Sequence, residues 1–261
     1  YDGYLLMPWA PEEGRGGLTF WDITDPCAPI ERGVGLSEHM RETHSLGFSH
    51  LDGSYAVVNH ISGLFEDGGV EFWDVSDTSA PAVVGELDFP GFFYPDSYTR
   101  VGLSVFWQVP YVYVGGAQNG VWIGDATDPR AARYVDTVSF EPTMQVGQVQ
   151  AIGNLLVVTS AEGARVVLLD ISDPLAPMPI GGGDFLARDG EGEVREAYFT
   201  NVANGFLFFA RKDGGAGSRV YDIRPPTRPT FAGDLPMPGG GGHVLVKDDL
   251  AAEGPGDSPG G

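Results

Sequence analysis

The chain has little cysteine, little lysine and no long apolar segment. Its 261 residues include one cysteine, Cys27, so an internal disulfide is excluded. No run of 18 or more apolar residues occurs, which excludes a membrane-spanning helix. Only Lys212 and Lys247 are lysines, and 36 acidic residues outnumber 15 basic ones for a net charge of −21. Because phosphate backbones and anionic lipids bind through Lys and Arg, we expect no nucleic acid or anionic membrane as partner.

Familiar catalytic motifs are also absent. The sequence contains no G-x-S-x-G element, phosphate-binding loop, zinc-protease helix or dinucleotide fingerprint, and no long helical periodicity that could carry one. Instead, 39 Gly and 20 Pro separate short apolar runs. Many short segments between turn residues are typical of an all-β protein.

One segment recurs five times and organises the chain. Each copy has an apolar run, an Asp, and in most copies Ser/Thr-Asp-Pro. The first Asp residues are Asp22, Asp74, Asp125, Asp170 and Asp222, which lie 52, 51, 45 and 52 residues apart. A constant period in this range is typical of solenoids and propellers.

Each repeat predicts four short antiparallel strands. The apolar run before the Asp is one strand, a second lies upstream behind a turn signal, a weaker alternating segment precedes that one, and a Pro precedes the fourth. Four strands per unit predict a β-propeller blade. The units are centred on 18–33, 70–87, 121–138, 166–183 and 218–235. We therefore predict an all-β propeller domain over 1–247 with five visible blades, alone or as part of a larger ring.

The repeat resembles the LVIVD repeat family. The shared pattern is Gly-(Val/Leu)-x-(Phe/Leu)-x-Asp-(Ile/Val)-Ser-Asp-Pro-x-x-Pro, and it covers all five copies. Copy three has Ala132 in place of the second Pro, and copy five has Arg224-Pro225 in place of Ser-Asp. The resemblance implies a β-propeller in a secreted or surface-exposed prokaryotic protein. It implies no particular activity.

The two ends of the chain leave two arrangements open. Residues 242–249 resemble a first strand with its turn, which could complete blade one and close a five-bladed ring. Alternatively, Leu250-Ala251-Ala252 begins the second strand of a further blade in a larger ring. Residues 248–261 are accordingly either a disordered tail or the start of that blade, and 253–261 is rich in Gly, Pro and acids.

The repeated Asp residues favour a structural role. A catalytic carboxylate pair must converge at one place, whereas these residues recur once per blade at the same turn. Asp side chains accept hydrogen bonds from backbone two residues ahead, and a following Pro favours a turn. We predict that they end the third strand and cap its turn.

Candidate ligand-binding residues lie where the repeats differ. One group is the aromatic loop 89–98, from which we select Phe92, Phe93 and Tyr94; a covering role over blades two and three is the alternative. The second group is predicted at the channel mouth, near the starts of inner strands, where such residues could equally serve solvation alone: Arg41, Glu42, His44, Arg100, Arg195, Glu196 and His243. Apolar rings beside a few polar groups are the usual composition of a small-molecule site.

Metal signals are weak. The spacing of His44, His60 and His243 matches no local zinc pattern. Residues 189–193 alternate Asp or Glu with Gly, but lack the Gly at position six and the Glu at position twelve of a calcium loop. We predict no metal site and no cofactor, with calcium as a weak alternative.

These observations favour a non-catalytic propeller that acts as a binding scaffold for a protein, a small molecule or a carbohydrate, and the resemblance implies that it is secreted or surface-exposed. The alternative is a propeller enzyme, a hydrolase or lyase acting on carbohydrate through polar residues at the channel mouth. Acids and His clustered in that channel would favour the enzyme, and isolated polar groups would favour the scaffold.

Overall fold

The recurring segments fold as antiparallel sheets. The computed structural model describes residues 3–9, 15–40, 46–48, 53–60, 68–92, 102–197, 199–210, 217–235, 241–247 and 250–255; at 46–48, 60, 241–243, 247 and 250–255 it describes the backbone alone. The chain divides into two compact units, Tyr1–Ser139 and Phe140–Gly261. No helix in the described part of the chain has the length and apolar character needed to cross a membrane.

The first unit contains three sheets, and in each sheet the strand order follows the chain. Blade one is β1 (Tyr4–Trp9), β2 (Gly16–Asp22) and β3 (Ile30–Ser37). Blade two is β4 (Leu46–Phe48), β5 (Tyr55–His60), β6 (Gly69–Asp74) and β7 (Ala82–Asp88). Blade three is β8 (Ser104–Gln108), β9 (Tyr111–Gly115), β10 (Val121–Asp125) and β11 (Arg133–Val138), with a 3₁₀ turn at Pro129–Ala131.

The second unit contains two four-stranded sheets and a hairpin. Blade four is β12 (Val146–Ile152), β13 (Leu155–Ser160), β14 (Arg165–Asp170) and β15 (Met178–Leu186). Blade five is β16 (Phe199–Ala203), β17 (Phe206–Ala210), β18 (Ser218–Asp222) and β19 (Thr230–Leu235). The hairpin is β20 (Gly241–Lys247) paired with β21 (Leu250–Pro255).

The predicted repeat boundaries match the strands. The five apolar runs are β2, β6, β10, β14 and β18, and each ends at the repeated Asp. The fourth strands begin directly after the Pro, or after Ala132 in blade three. In four blades the pairing between these two strands also shifts register at the same place, two residues before the Asp. The predicted equivalence of the third strands is therefore confirmed.

Glycines on fourth strands receive the turn of the next blade. A Cβ built on Gly33 would lie 2.5 Å from the backbone of Ser79, and one on Gly85 would lie 2.1 Å from the carbonyl oxygen of Pro129. In the second unit, a Cβ on Gly182 would lie 2.2 Å from the carbonyl oxygen of Thr227. The Asp-Pro turns thus also serve as contacts between adjacent blades.

Apolar side chains from adjacent sheets form the core. Blades one and two share a buried cluster: Leu6, Leu18, Phe20, Met40, Ala56, Val58, Trp73 and Val75. Blades four and five share another: Val157, Val166, Leu168, Ala187, Ala197, Val202, Leu207, Phe209, Tyr221 and Ile223. The third strands are buried almost throughout because each is covered on both faces.

The C-terminal segment pairs with itself. The sheet of β1 contains β1, β2 and β3, whereas β20 pairs with β21 in a separate sheet. β20 pairs with β21 along Gly241–Lys247, and the closing strand of blade one stays a prediction. Residues 250–255 form a strand, the further-blade arrangement likewise stays a prediction, and residues 256–261 lie outside the described residues.

Candidate functional site

The repeated Asp residues cap their own turns. In every copy, one carboxylate oxygen accepts a hydrogen bond from the backbone N–H two residues ahead, at 2.8–3.1 Å. In the first three blades the Ser or Thr hydroxyl at that position donates to the same oxygen. The predicted turn-capping geometry is confirmed.

Arginine occupies the second oxygen of several of these carboxylates. Arg32 donates to Asp22, Arg133 to Asp125 and Arg224 to Asp222. Hydrogen bonds from the Arg224 guanidinium lower the pKa of Asp222 to about 2, and those from Thr24 and Arg32 lower that of Asp22 further. These carboxylates are ionised at neutral pH and cannot serve as proton donors there.

The described part of the aromatic loop packs inside the protein. Phe89 stacks on Trp122 with ring centroids 5.1 Å apart, and Phe92, which is only 2% exposed, stacks on the same indole at 6.0 Å. The Trp122 indole N–H donates to the carbonyl of Pro90 at 3.1 Å. For Phe92 these contacts fit the alternative role of covering blades two and three. Phe93 and Tyr94 lie outside the described residues.

Most of the predicted channel-mouth residues also lie outside the described part of the chain: Arg41, Glu42, His44 and Arg100. For His243, in β20, the backbone alone is described. Arg195 and Glu196 are half-buried. Arg195 donates to the Asp189 carboxylate at 2.7 Å, so its side chain is tied to the acidic loop of its own segment.

Asp189 organises the loop that had suggested calcium. One carboxylate oxygen accepts the backbone N–H groups of Glu191 and Glu193 at 3.1 and 2.9 Å, and the other accepts Arg195. The Arg195 hydrogen bond is the main cause of a lowered pKa for Asp189. Both oxygens thus have donors within the loop, and calcium binding here stays a weak prediction.

A cluster that the sequence did not indicate lies between blades one and two. Glu71 on β6 and Glu86 on β7 face each other directly across the two strands. His39, just beyond the end of β3, places its Nδ1 3.1 Å from Glu86 Oε1. One ligand atom from each of the three residues lies within 4.8 Å of the other two. We call these residues the His39 cluster.

Ser37 holds the cluster together. Its hydroxyl oxygen accepts hydrogen bonds from the backbone N–H groups of His39 and Met40, each at 2.9 Å. The same hydroxyl donates a hydrogen bond to Glu71 Oε1 at 2.5 Å. Met40 is fully buried in the core of blades one and two. The segment that carries His39 is therefore fixed directly to the Glu71 side chain.

Glu71 has an unusual environment for a carboxylate. The residue is 1% exposed, and its second oxygen, Oε2, has no hydrogen-bond partner among the described residues. Burial raises the pKa of Glu71 to about 7; the Ser37 hydroxyl, His39 and the nearby Trp73 indole act to lower it, and Glu86 acts to raise it. Near neutral pH the side chain is thus divided between its neutral and charged forms.

The sequence contains one signal for this site, which is visible only when the five repeats are aligned on their Asp residues. The position three before the repeated Asp holds Thr19, Glu71, Trp122, Val167 and Arg219, all of them buried. Glu71 and Arg219 are the two charged residues at this buried position, so they mark blades two and five as different. His39 carries no such mark, because it lies in a connection that has no fixed pattern among the repeats.

Strand order and comparisons with solved structures define the class: this is a β-propeller. A protein of Lactobacillus plantarum matches 95% of this chain and 74% of its own, with a TM-score of 0.71 and 12% identity. A candidate 6-phosphogluconolactonase of Bacteroides fragilis matches 94% of this chain and 85% of its own, with a TM-score of 0.54 and 10% identity.

The computationally designed protein Ika8 is also similar. It matches 96% of this chain with a TM-score of 0.59 and 14% identity, and this chain spans 65% of its length. At these identities the likeness concerns the fold alone. No family model matches the chain, and the comparison with curated proteins gives no match. The resemblance to the LVIVD family thus has support at the level of the propeller fold.

Proposed function

We propose that this protein is a non-catalytic, secreted or surface-exposed β-propeller of the LVIVD type that binds a protein, small-molecule or carbohydrate ligand through its variable loops. The observation that carries this proposal is the structural role of the repeated Asp carboxylates. Each of the five caps its own turn. The residues common to all blades therefore build the scaffold, and recognition falls to residues that differ between blades.

The packing of Phe92 restricts which aromatic residues can bind. Truncating Phe92 would open a cavity against Trp122, and buried Phe→Ala changes cost about 3–5 kcal/mol in stability. A loss of binding in that variant would not separate recognition from folding. Phe93 and Tyr94 are the aromatic residues of choice for a test.

A glycan array and a peptide library, each probed with labelled protein, test the proposal. We expect wild type to select a ligand, and the double variant Phe93→Ala/Tyr94→Ala to lose at least about tenfold in affinity, as loss of aromatic anchors does. The control is Leu175→Ala, an exposed apolar residue on a repeated turn. Equal affinity of wild type and the double variant, or a loss caused by Leu175→Ala, would contradict the proposal.

A propeller hydrolase or lyase acting on carbohydrate is the second candidate. The His39 cluster favours it, because a carboxyl with a pKa near 7 beside a second carboxylate suits acid-base chemistry. Against it, Glu71 is 1% exposed and lies on a third strand, away from the first strands that line a propeller channel. Turnover of chromogenic glycosides or polysaccharides by wild type, abolished by Glu71→Gln, would establish the enzyme.

A further inference from the structure

The three side chains of the His39 cluster come from three different segments, yet they converge. Glu71 belongs to β6, Glu86 to β7 and His39 to the segment after β3. Their ligand atoms lie within 4.8 Å of one another. Imidazole nitrogen and carboxylate oxygen are the ligand types that Zn²⁺ takes in proteins, with bonds of about 2.0–2.2 Å.

The spacing suits a small cation. Around a tetrahedral Zn²⁺ with bonds of that length, ligand atoms lie roughly 3.3–3.5 Å apart. His39 Nδ1 and Glu86 Oε1 are already at 3.1 Å. These two side chains are 43% and 44% exposed, which leaves them room to rotate toward a bound cation.

A bound cation would stabilise the two carboxylates of the cluster. Glu71 and Glu86 are directly opposite on neighbouring strands, where like charges destabilise the pairing. Glu71 is buried, and no residue in the described part of the chain donates a hydrogen bond to its Oε2. Leaving a buried polar oxygen unsatisfied is costly, and a coordinated cation would remove both costs together.

We propose that His39, Glu71 and Glu86 form a binding site for a divalent transition-metal cation, Zn²⁺ fitting best. Glu71 supplies the ligand from inside the protein, and His39 and Glu86 close the site from the solvent side. Calcium and magnesium fit less well, since Ca²⁺ takes six to eight oxygen ligands and Mg²⁺ a near-octahedral oxygen shell. Because the ligands come from blades one and two, the cation joins these blades. The site goes beyond the scaffold function and does not depend on it.

Calorimetric titration of chelator-stripped protein with Zn²⁺ tests the site. We expect one Zn²⁺ per chain, a higher melting temperature with the metal bound, and little competition from Ca²⁺ or Mg²⁺. His39→Ala and Glu71→Gln should each weaken Zn²⁺ binding at least about tenfold, because even partners outside the coordination sphere are worth about 10–100-fold. Co²⁺ bound in place of Zn²⁺ should give the visible absorption of a tetrahedral site.

Asp88→Asn is the matched control. Asp88 is an exposed acid on β7, two residues from Glu86, and Asp88→Asn replaces one carboxyl by an amide as Glu71→Gln does. This control should bind Zn²⁺ as wild type does. Equal Zn²⁺ affinity in wild type and both cluster variants, or weak binding at many sites, overturns the proposal. Should Glu71→Gln fail to fold, His39→Ala decides, because that side chain is partly exposed. If the protein selects no ligand from the glycan array or the peptide library but still binds Zn²⁺, the proposed scaffold function is contradicted and the metal site is not.

Discussion

At the residue scale, Asp74 illustrates how one carboxylate ends a strand. Its Oδ1 accepts both the backbone N–H and the hydroxyl of Ser76, at 3.1 and 2.6 Å, while Arg130 lies 3.4 Å from its Oδ2. The Ser76 hydrogen bonds are the main cause of a lowered pKa for Asp74. The side chain thus satisfies a backbone donor that would otherwise follow the strand end unpaired.

We expect Asp74→Ala to lower the free energy of unfolding by about 1 kcal/mol, the usual net value of such hydrogen bonds, without changing ligand binding. Urea denaturation measures the stability, and Asp74→Asn is the control because its side-chain oxygen can still accept. Asp170→Ala should act in the same direction. Unchanged stability with lost binding would show that the turn carboxylates recognise the ligand.

Glu71 makes stability depend on pH in the opposite way to these Asp residues. Its pKa rises from 4.5 to about 7 on folding. Below about pH 4.5 the side chain is neutral in both states. As the pH rises to about 7 the unfolded chain ionises freely while the folded protein resists, so stability falls across this window by up to about 3 kcal/mol.

Glu71→Gln should remove that decline. In metal-free buffer we expect the stability of the variant relative to wild type to increase from pH 4.5 to 7 and then remain level. Chemical denaturation across this range measures the difference in free energy of unfolding between variant and wild type. Parallel curves for Glu71→Gln and wild type would contradict the raised pKa.

At the element scale, adjacent blades pack closely where a glycine on the fourth strand leaves room for the turn of the next blade. The fourth strand of blade two accepts the turn of blade three at Gly85, where a Cβ would lie 2.1 Å from the Pro129 carbonyl oxygen. At the same strand position in blade five, Gly233, no atom of the described residues lies within 4 Å of such a Cβ. One glycine is required by packing and the other is not.

We expect Gly85→Ala to destabilise the protein by about 1–3 kcal/mol, as overpacking does, because the neighbouring backbone must move. Gly233→Ala is the matched control, at the equivalent strand position with no close neighbour among the described residues, and should change stability by less than about 0.5 kcal/mol. Thermal unfolding of both variants provides the comparison. Equal effects would show that contact with the next turn does not constrain the fourth strand.

At the scale of the whole molecule, the main electrostatic feature is the excess of negative charge. At a net charge of −21 the acidic groups repel one another, which destabilises the compact state and also keeps separate protein molecules apart. Several Arg–Asp pairs offset this locally, but exposed pairs of this kind contribute little. That the chain does not bind nucleic acid stays a prediction, which fluorescence anisotropy with a DNA duplex can measure.

Salt should therefore stabilise the protein. Raising NaCl from about 0.02 to about 0.5 M shortens the distance over which charges repel, so we expect the melting temperature at pH 7.5 to rise by a few degrees. The effect should shrink near the isoelectric point of 4.3, where the net charge vanishes. A melting temperature that falls with salt at pH 7.5 would mean that ion pairs outweigh repulsion.

The repeat itself was readable because its interactions are local. An Asp that accepts the N–H two residues ahead, followed by a Pro, acts within a few residues, so strand ends and the blade pattern followed from sequence spacing. Four strands per repeat then left few architectures other than a propeller. The net charge and the exclusion of an internal disulfide likewise followed from the sequence alone.

Tertiary structure alone decided the roles of particular side chains. Phe92 belongs to an aromatic loop in the sequence, but its burial depends on Trp122, 30 residues further on. His39, Glu71 and Glu86 lie on three segments with no local pattern in common, and their convergence depends on strand register and on how blade one packs against blade two. Register and packing are set by many distant contacts together, which no single stretch of sequence contains.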